Sequence, residues 1–260
     1  MIVSFKHRFM FVHNPKAGGT SVRQILGQFH DMDIQFWHQG WSIEEQRVVD
    51  MAHLTADQWA ATPEFEPLFK FGFVRNPYSR FWSSLNEFMR RHSDSFPRLT
   101  VDDLMLMLTP ASIRHDWRFV HFCPQHAFFY IGNQCLVDWI GVQEVMDDSW
   151  AKITALTGSI WDATLPKERE SGPDRFPKMW REDKRLHFLI NRLYHRDFLL
   201  FRYFMHDHLN IQNTHADRIE VIHDPMLASR FHGQETGALD FTHGEKKSLE
   251  QVRAMRKGVK

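Results

Sequence analysis

Residues His13 to Ser21 read His-Asn-Pro-Lys-Ala-Gly-Gly-Thr-Ser, directly after an apolar run around Arg8 to Val12 and directly before a stretch of helical period. Few folds accommodate that succession. A strand must end, the chain must turn within a few residues, and a helix must start at the turn. Val22, Ile25, Leu26 and Phe29 fall on one face of that helix. Gly18 and Gly19 let the backbone come close to a ligand, and a helix start offers unpaired N–H groups and a favourable dipole. Lys16 adds a mobile positive charge, while Thr20 and Ser21 add hydroxyl donors. The loop therefore has the build of an oxyanion cradle. It is not a Walker A loop, whose lysine directly follows the second glycine; here Lys16 precedes both glycines.

A second segment, Phe69 to Ser84, reads Phe-Lys-Phe-Gly-Phe-Val-Arg-Asn-Pro-Tyr-Ser-Arg-Phe-Trp-Ser-Ser. Its first half alternates aromatics and ends in a β-branched residue, the pattern of a buried strand. Pro77 cannot continue a ladder but suits a first helical turn, so the strand ends near Arg75. Phe81, Trp82, Leu85, Phe88 and Met89 then recur at helical spacing. Arg75 is thus expected at the carboxyl end of a strand, where open α/β sheets bind ligands. Ser83 is expected about two turns into the following helix.

Pro-Lys-x-Gly-Gly-Thr-Ser resembles the phosphosulfate-binding loop of sulfotransferases, particularly the carbohydrate branch, which use 3′-phosphoadenosine 5′-phosphosulfate as sulfuryl donor. Arg-Asn-Pro-x-x-Arg-x-x-Ser resembles that family's 3′-phosphate-binding motif. The resemblance implies that Lys16 and the backbone of Ala17, Gly18, Gly19, Thr20 and Ser21 hold the donor's phosphosulfate. It assigns the 3′-phosphate to Arg75 and Ser83. An arginine suits that task because its planar fork grips phosphate oxygens in two places. Arg80 also matches the pattern, as a ligand contact or as a helix-face arginine paired locally. Val137 to Glu144 resembles the family's strand-Gly-x-x-Glu segment, and Tyr194 to Tyr203 its closing helix. Leu165-Pro166 with Ser171 resembles a donor-contacting loop without its usual asparagine. The likeness runs over residues 8 to 205 and implies a P-loop-NTPase-like α/β fold.

Alternation of strands and helices along the chain argues independently for a central parallel sheet with helices on both faces. The expected elements include a helix after Thr100, a strand near Leu136 to Ile140 and a helix around Asp148 to Thr157. A surface loop over 166–180 and one long helix from about Asp183 to Phe204 complete them. The expected division is a sulfotransferase domain over residues 1–205 and a polar C-terminal extension over 206–260.

With 260 residues, 43% of them hydrophobic, the chain can bury a full α/β core. Its formal net charge is zero, which excludes a whole-molecule pull toward nucleic acid or anionic membrane. Basic residues concentrate locally instead: Lys70, Arg75, Arg80, Arg90 and Arg91 stand against Glu87 alone. Aromatics reach 14%, mostly core material; Trp37, Trp41 and Trp59, in polar context, are candidates to stack on a sugar. Cys123 and Cys135 make no disulfide framework. No room for a signal peptide precedes the first strand, and no apolar run reaches about 18 residues. Against the membrane anchor usual in Golgi carbohydrate sulfotransferases, these features lead us to expect a cytoplasmic, bacterial-style enzyme.

Sulfuryl transfer to a hydroxyl needs charge neutralisation on the departing phosphate and a general base. Lys16 is the candidate for the first, with no metal expected. His53, one of 17 histidines, is the candidate base. Met51-Ala52-His53-Leu54-Thr55 resembles the Gly-His segment that supplies the base in related carbohydrate sulfotransferases, with Ala52 in place of the glycine. His126 and His121, flanking Cys123-Pro124-Gln125, are the alternatives. The spacing of His115, His121, Cys123 and His126 matches no standard zinc pattern, and His206-Asp207-His208 reads as exposed. The expected acceptor is a carbohydrate or another hydroxylated molecule. A nucleotide-dependent kinase of related fold and a non-catalytic nucleotide- or glycan-binding protein are the other function classes weighed.

Overall fold

The computed structural model describes residues 1–32, 39–42, 47–161, 164–166, 173–205 and 222–223, with backbone alone at 39–42, 47–48 and 222–223. Its strands are β1 (Ile2–Ser4), β2 (Phe9–Phe11), β3 (Gln39–Ser42), β4 (Arg47–Asp50), β5 (Phe69–Val74), β6 (Tyr130–Ile131), β7 (Gln134–Cys135), β8 (Trp139–Val142) and β9 (Ile222–His223). Its helices are α1 (Gly19–Leu26), α2 (Ala56–Trp59), α3 (Pro77–His92), α4 (Val101–Met107), α5 (Pro110–His115), α6 (His126–Phe129), α7 (Met146–Leu156), α8 (Lys184–Leu193) and α9 (His195–Leu200).

The central sheet runs β1-β2-β5-β8-β9. Its middle, β2-β5-β8, is parallel, while β1 and β9 pair antiparallel at the edges. The sheet is therefore mostly parallel, with two short edge strands that carry no periodicity to reveal them beforehand. Every residue of β5 is buried, as a central parallel strand requires.

Strand alternation sends Phe9, Phe11, Phe69, Phe71 and Phe73 to one face, where they pack with Val22 and Leu26 of α1 and Trp150 and Ile153 of α7. Met10, Val12 and Val74 go to the other face, against Phe81 and Leu85 of α3 and Leu189 and Ile190 of α8. Both faces are covered. Much of the high aromatic content is a ladder on the first face: Phe11 and Phe71 lie 5.6 Å apart, and Trp161 stacks on Phe71 at 5.7 Å. Trp59 belongs to the core as well. It is 2% exposed and donates its indole N–H to the Phe128 carbonyl at 3.0 Å, so it offers no face to a sugar. Trp37 and the side chain of Trp41 lie outside the described residues.

The closing segment is two helices, not one. Tyr194 leaves helical geometry at φ −111°, ψ 18° between α8 and α9. That break buries its ring completely and lets its hydroxyl donate to the Phe122 carbonyl at 3.0 Å. Within the expected surface loop over 166–180, the described residues include the start of a 3₁₀ stretch, Lys178–Glu182, with Trp180 turned into the core.

Candidate active site

The cradle bends from the end of β2 into α1. Lys16 (φ 63°) and Gly18 (φ 83°) both adopt left-handed backbone. For Gly18 this costs nothing, whereas Lys16 holds the kind of strained geometry found in functional loops. The first helical bond of α1 is Val22 N–H to the Gly18 carbonyl, at 3.5 Å. The N–H groups of Gly19, Thr20 and Ser21 consequently have no helical acceptor. A Cβ on Gly19 would lie 1.9 Å from His13 Nε2, so the His13 imidazole roofs the start of the helix. Gly19→Ala is expected to displace that ring and destabilise the protein by about 1–3 kcal/mol, read as a lower Tm together with weaker nucleotide binding.

Lys16 Nζ lies 3.8 Å from Glu87 Oε2 on α3, and Glu87 also takes hydrogen bonds from Arg90 and Arg91, each at 2.6 Å. Burial on its own would raise the Glu87 carboxyl. The Arg90, Lys16 and Arg91 charges overcome it and hold the group well below the carboxylate range. Burial likewise lowers the Lys16 ammonium, with Glu87 opposing it.

Arg75 follows the carboxyl end of β5. Its Nη1 donates to the Lys16 carbonyl at 3.3 Å and its Nε to Ser79 Oγ at 3.0 Å, so the two sequence motifs meet. Burial pushes the guanidinium down from its ordinary value, opposed by Glu144. Asn76 caps α3 by accepting from the Tyr78 and Ser79 N–H groups, and Pro77 takes the first helical position. Glu144 fixes this turn by accepting the Asn76 N–H at 2.6 Å and the Tyr203 hydroxyl at 2.9 Å.

Gln125, fully buried, is the hub beneath. Its Oε1 accepts from Asn14 Nδ2 and the Arg75 N–H, both at 2.9 Å, and its Nε2 donates to the Arg75 carbonyl at 2.7 Å. Asn14 Nδ2 also donates to the Phe73 carbonyl at 2.9 Å. Under Gln125, the buried Asp197 carboxylate of α9 accepts the Gln125 N–H at 2.7 Å, the His126 N–H at 2.9 Å and His126 Nδ1–H at 2.7 Å. His126 is thereby held as part of the scaffold at the start of α6.

On α3, Ser84 Oγ lies 2.8 Å from the His121 carbonyl and 2.9 Å from that of Arg80. Ser83 is buried and its hydroxyl has no hydrogen bond among the described residues. Arg80 is fully buried. Its Nε donates to the Pro15 carbonyl at 3.0 Å and its Nη2 to that of Cys123 at 2.6 Å, and its guanidinium covers the Tyr194 ring. Arg80 thus departs from the reading of a helix-face arginine paired with a local acid, because it is buried and its acceptors are two carbonyls distant in the chain, one of them in the cradle. The basic cluster seen along the chain disperses in space: Lys70 Nζ is bound to the Glu66 and Leu68 carbonyls at the far end of β5.

His53 ends the 3₁₀ turn Met51–His53, which Asp50 caps through the Ala52 N–H. Its Nδ1 lies 2.9 Å from the His13 carbonyl. A carbonyl can only accept, so Nδ1 carries the proton and Nε2 keeps its lone pair. The His53 ring lies 4.3 Å from that of His13 and 5.5 Å from that of His121. Burial lowers the His53 pKa to about 4 against the opposing pull of Asp50, and burial takes His13 and His121 well below their ordinary value. The Lys16 charge acts on His121 and that of Arg91 on both His121 and His53, so these two imidazoles lie within reach of the cations around Glu87.

A cleft of about 910 Å³ opens beside His53, with Asp50, Trp117, Cys123 and Pro124 also in its walls. Arg80 links cradle to cleft, since its two carbonyl acceptors are Pro15 and Cys123. His121 and His126 are not among the described lining residues. Ser171 and His206-Asp207-His208 lie outside the described residues. Among the described residues no cluster of His, Cys, Asp or Glu is arranged to hold a metal, neither cysteine is in a disulfide, and no helix is long and apolar enough to cross a membrane.

Sequence reasoning missed Glu87 as the partner of Lys16 and Gln125 as the hub. The first had a signal: Arg80, Ser84, Glu87 and Arg91 recur at helical spacing between apolar neighbours, a polar stripe aimed at one target.

A mostly parallel α/β sheet with an anion cradle after one strand and an arginine after the next defines a P-loop-like group-transfer fold. The model of the sulfotransferase family matches residues 1–204, and the chain belongs to that family. No curated protein and no solved structure matches it significantly.

Proposed function

We propose that residues 1–205 form a catalytic unit that transfers a sulfuryl group from 3′-phosphoadenosine 5′-phosphosulfate to a hydroxyl of a carbohydrate or another hydroxylated acceptor. The observation that carries this reading is the position of Lys16, joined to Arg75 through its carbonyl and close enough to His121 for its charge to lower that imidazole, which in turn packs against His53 at 5.5 Å. Groups suited to a nucleotide anion thus adjoin a histidine cluster that holds a group suited to deprotonating an alcohol. The residues fit the donor's chemistry: among the described residues α1 begins with N–H groups that have no helical acceptor and the Ser83 hydroxyl has no hydrogen bond, and a Cβ at Gly19 would collide with His13.

The donor supplies an activated sulfuryl group on a phosphate leaving group. Lys16 and the N–H groups of the cradle neutralise charge on the departing phosphate oxygens. Arg75 and Ser83 bind the 3′-phosphate, which orients the reacting end. His53 Nε2 takes the acceptor's hydroxyl proton as the new oxygen–sulfur bond forms and the old one breaks, while Nδ1–H on the His13 carbonyl keeps the ring in the productive tautomer.

Calorimetry with 3′-phosphoadenosine 5′-phosphate, ADP and ATP tests the donor assignment. The 3′-phosphorylated nucleotide should bind tightest, and Arg75→Ala should weaken it on the order of 10–100-fold, leaving ADP nearly unchanged. Equal or tighter ATP binding would instead favour a kinase.

A further inference from the structure

The cleft beside His53 carries a charge pattern that narrows the acceptor, an inference resting on the sulfotransferase reading above. Three carboxylates, Asp50, Asp57 and Asp116, line it against two guanidiniums, Arg114 and Arg192. The Arg114 charge is matched by Asp57 at 3.8 Å, so that guanidinium is not a dedicated anion receptor. Asp116 is chelated by Arg118, which stands outside the cleft lining. Arg192 is then the one lining cation that no carboxylate pairs among the described residues, and the lining also holds Asp50, whose charge reaches His53 and the Met1 ammonium. Asp50 gives one oxygen to the Ala52 N–H, and its other oxygen has no hydrogen bond among the described residues. A carboxylate oxygen of this kind accepts hydrogen bonds from hydroxyls and repels other anions.

Beside these charges stands Trp117, half-buried, with His92 against its edge at 6.0 Å. An indole at the wall of a cleft is suited to the apolar face of a sugar ring. The volume of about 910 Å³ falls within the roughly 300–1,000 Å³ of small-molecule sites. We propose that this cleft is the acceptor site and that it takes an uncharged glycoside, with a ring on Trp117 and hydroxyls on Asp50, while excluding uronate- or sulfate-bearing sugars. Polyanionic acceptors would bring their charges against Asp50 with Arg192 alone, among the described residues, to receive them.

The test uses the full chain and two probes that differ only in charge, p-nitrophenyl β-glucoside and p-nitrophenyl β-glucuronide. Each is titrated with the nucleotide 3′-phosphoadenosine 5′-phosphate present and absent. The glucoside should bind at least about tenfold tighter. Trp117→Ala should weaken it about fivefold, and Asp50→Asn should close most of the gap between the two probes. Glucuronide binding as tight as or tighter than glucoside, or a glucoside affinity unmoved by Trp117→Ala, overturns the proposal. The wild-type comparison needs no variant to fold. Nucleotide titration of the same preparation separates the two readings, because absent nucleotide binding sinks the donor assignment while the probe ratio still decides the cleft.

Discussion

Lys16→Ala should lower kcat by about 10²–10³-fold and leave the affinity for 3′-phosphoadenosine 5′-phosphate within a few-fold of wild type. The asymmetry follows from what each group does. In the proposed donor site Arg75, Ser83 and the backbone N–H groups of α1 remain to bind the nucleotide, so ground-state binding loses little. Negative charge on the departing phosphate grows only as the bond to sulfur breaks, and the proposed mechanism assigns Lys16 to meet it. The substitution is also structurally clean. Glu87 keeps Arg90 and Arg91 as partners when the ammonium is removed, so no carboxylate is stranded. Alanine inherits the same left-handed backbone that lysine already occupies at φ 63°. Steady-state kinetics alongside calorimetry read the two quantities separately. A variant that kept kcat but lost nucleotide affinity would make Lys16 a ground-state anchor and move the transition-state role elsewhere.

His53→Gln should cost about 10²–10⁴-fold in kcat, with nucleotide affinity unchanged. Glutamine can still donate to the His13 carbonyl, so it preserves the local bond while removing the proposed base. The pH profile gives the sharper reading. The free imidazole titrates at about 4 rather than 6.5, because burial disfavours its cation. The base is therefore already neutral throughout the neutral range, and kcat/KM should stay flat there and fall only as pH approaches about 4. An acid limb at the ordinary histidine value would point to a different, better-hydrated base.

The same buried imidazoles make folding pH-dependent, with a definite sign. His13, His53 and His121 bind protons more weakly folded than unfolded. Their neutral forms are fully compatible with the fold above 6.5. As pH drops below that value toward about 4, the unfolded chain takes up protons first and stability declines. Thermal melts across this range should show Tm falling on the acid side, less steeply in His53→Gln. Because activity and stability both decline on the acid side, initial rates after a rapid pH jump are needed to separate them.

The two strand-to-helix turns, at Lys16 to Gly19 and at Arg75 to Pro77, were legible in the sequence because their logic is local. Gly18 and Gly19 mark a backbone that a side chain would obstruct, and Asn76-Pro77 is cap chemistry readable in four residues. The strand–helix alternation placed α1 and α3 correctly for the same reason. What stayed hidden is held by contacts far apart in the chain. Gln125 meets Asp197 across 72 residues, and His53 meets His13 across 40. No spacing rule encodes such pairs. Trp59 shows the opposite failure: its polar neighbours Asp57 and Gln58 suggested a surface position, yet α2 turns its indole inward against Phe128. Tyr194 likewise interrupts an otherwise continuous helical period, for a hydroxyl bond to Phe122 that belongs to tertiary structure alone.

The hydrogen bonds running from Asn14 and Arg75 through Gln125 to Asp197, and from Asn76 through Glu144 to Tyr203, also bear on how the enzyme is made. Both motifs precede these partners in the chain. The groups that set their geometry follow one after another, Gln125 and Glu144 first, then Asp197 on α9 and Tyr203 just beyond it. A chain synthesised only as far as α3 accordingly has the cradle sequence without the contacts that shape it. The earlier-made residues take their final positions from later-made ones, Asp197 and Tyr203 among them.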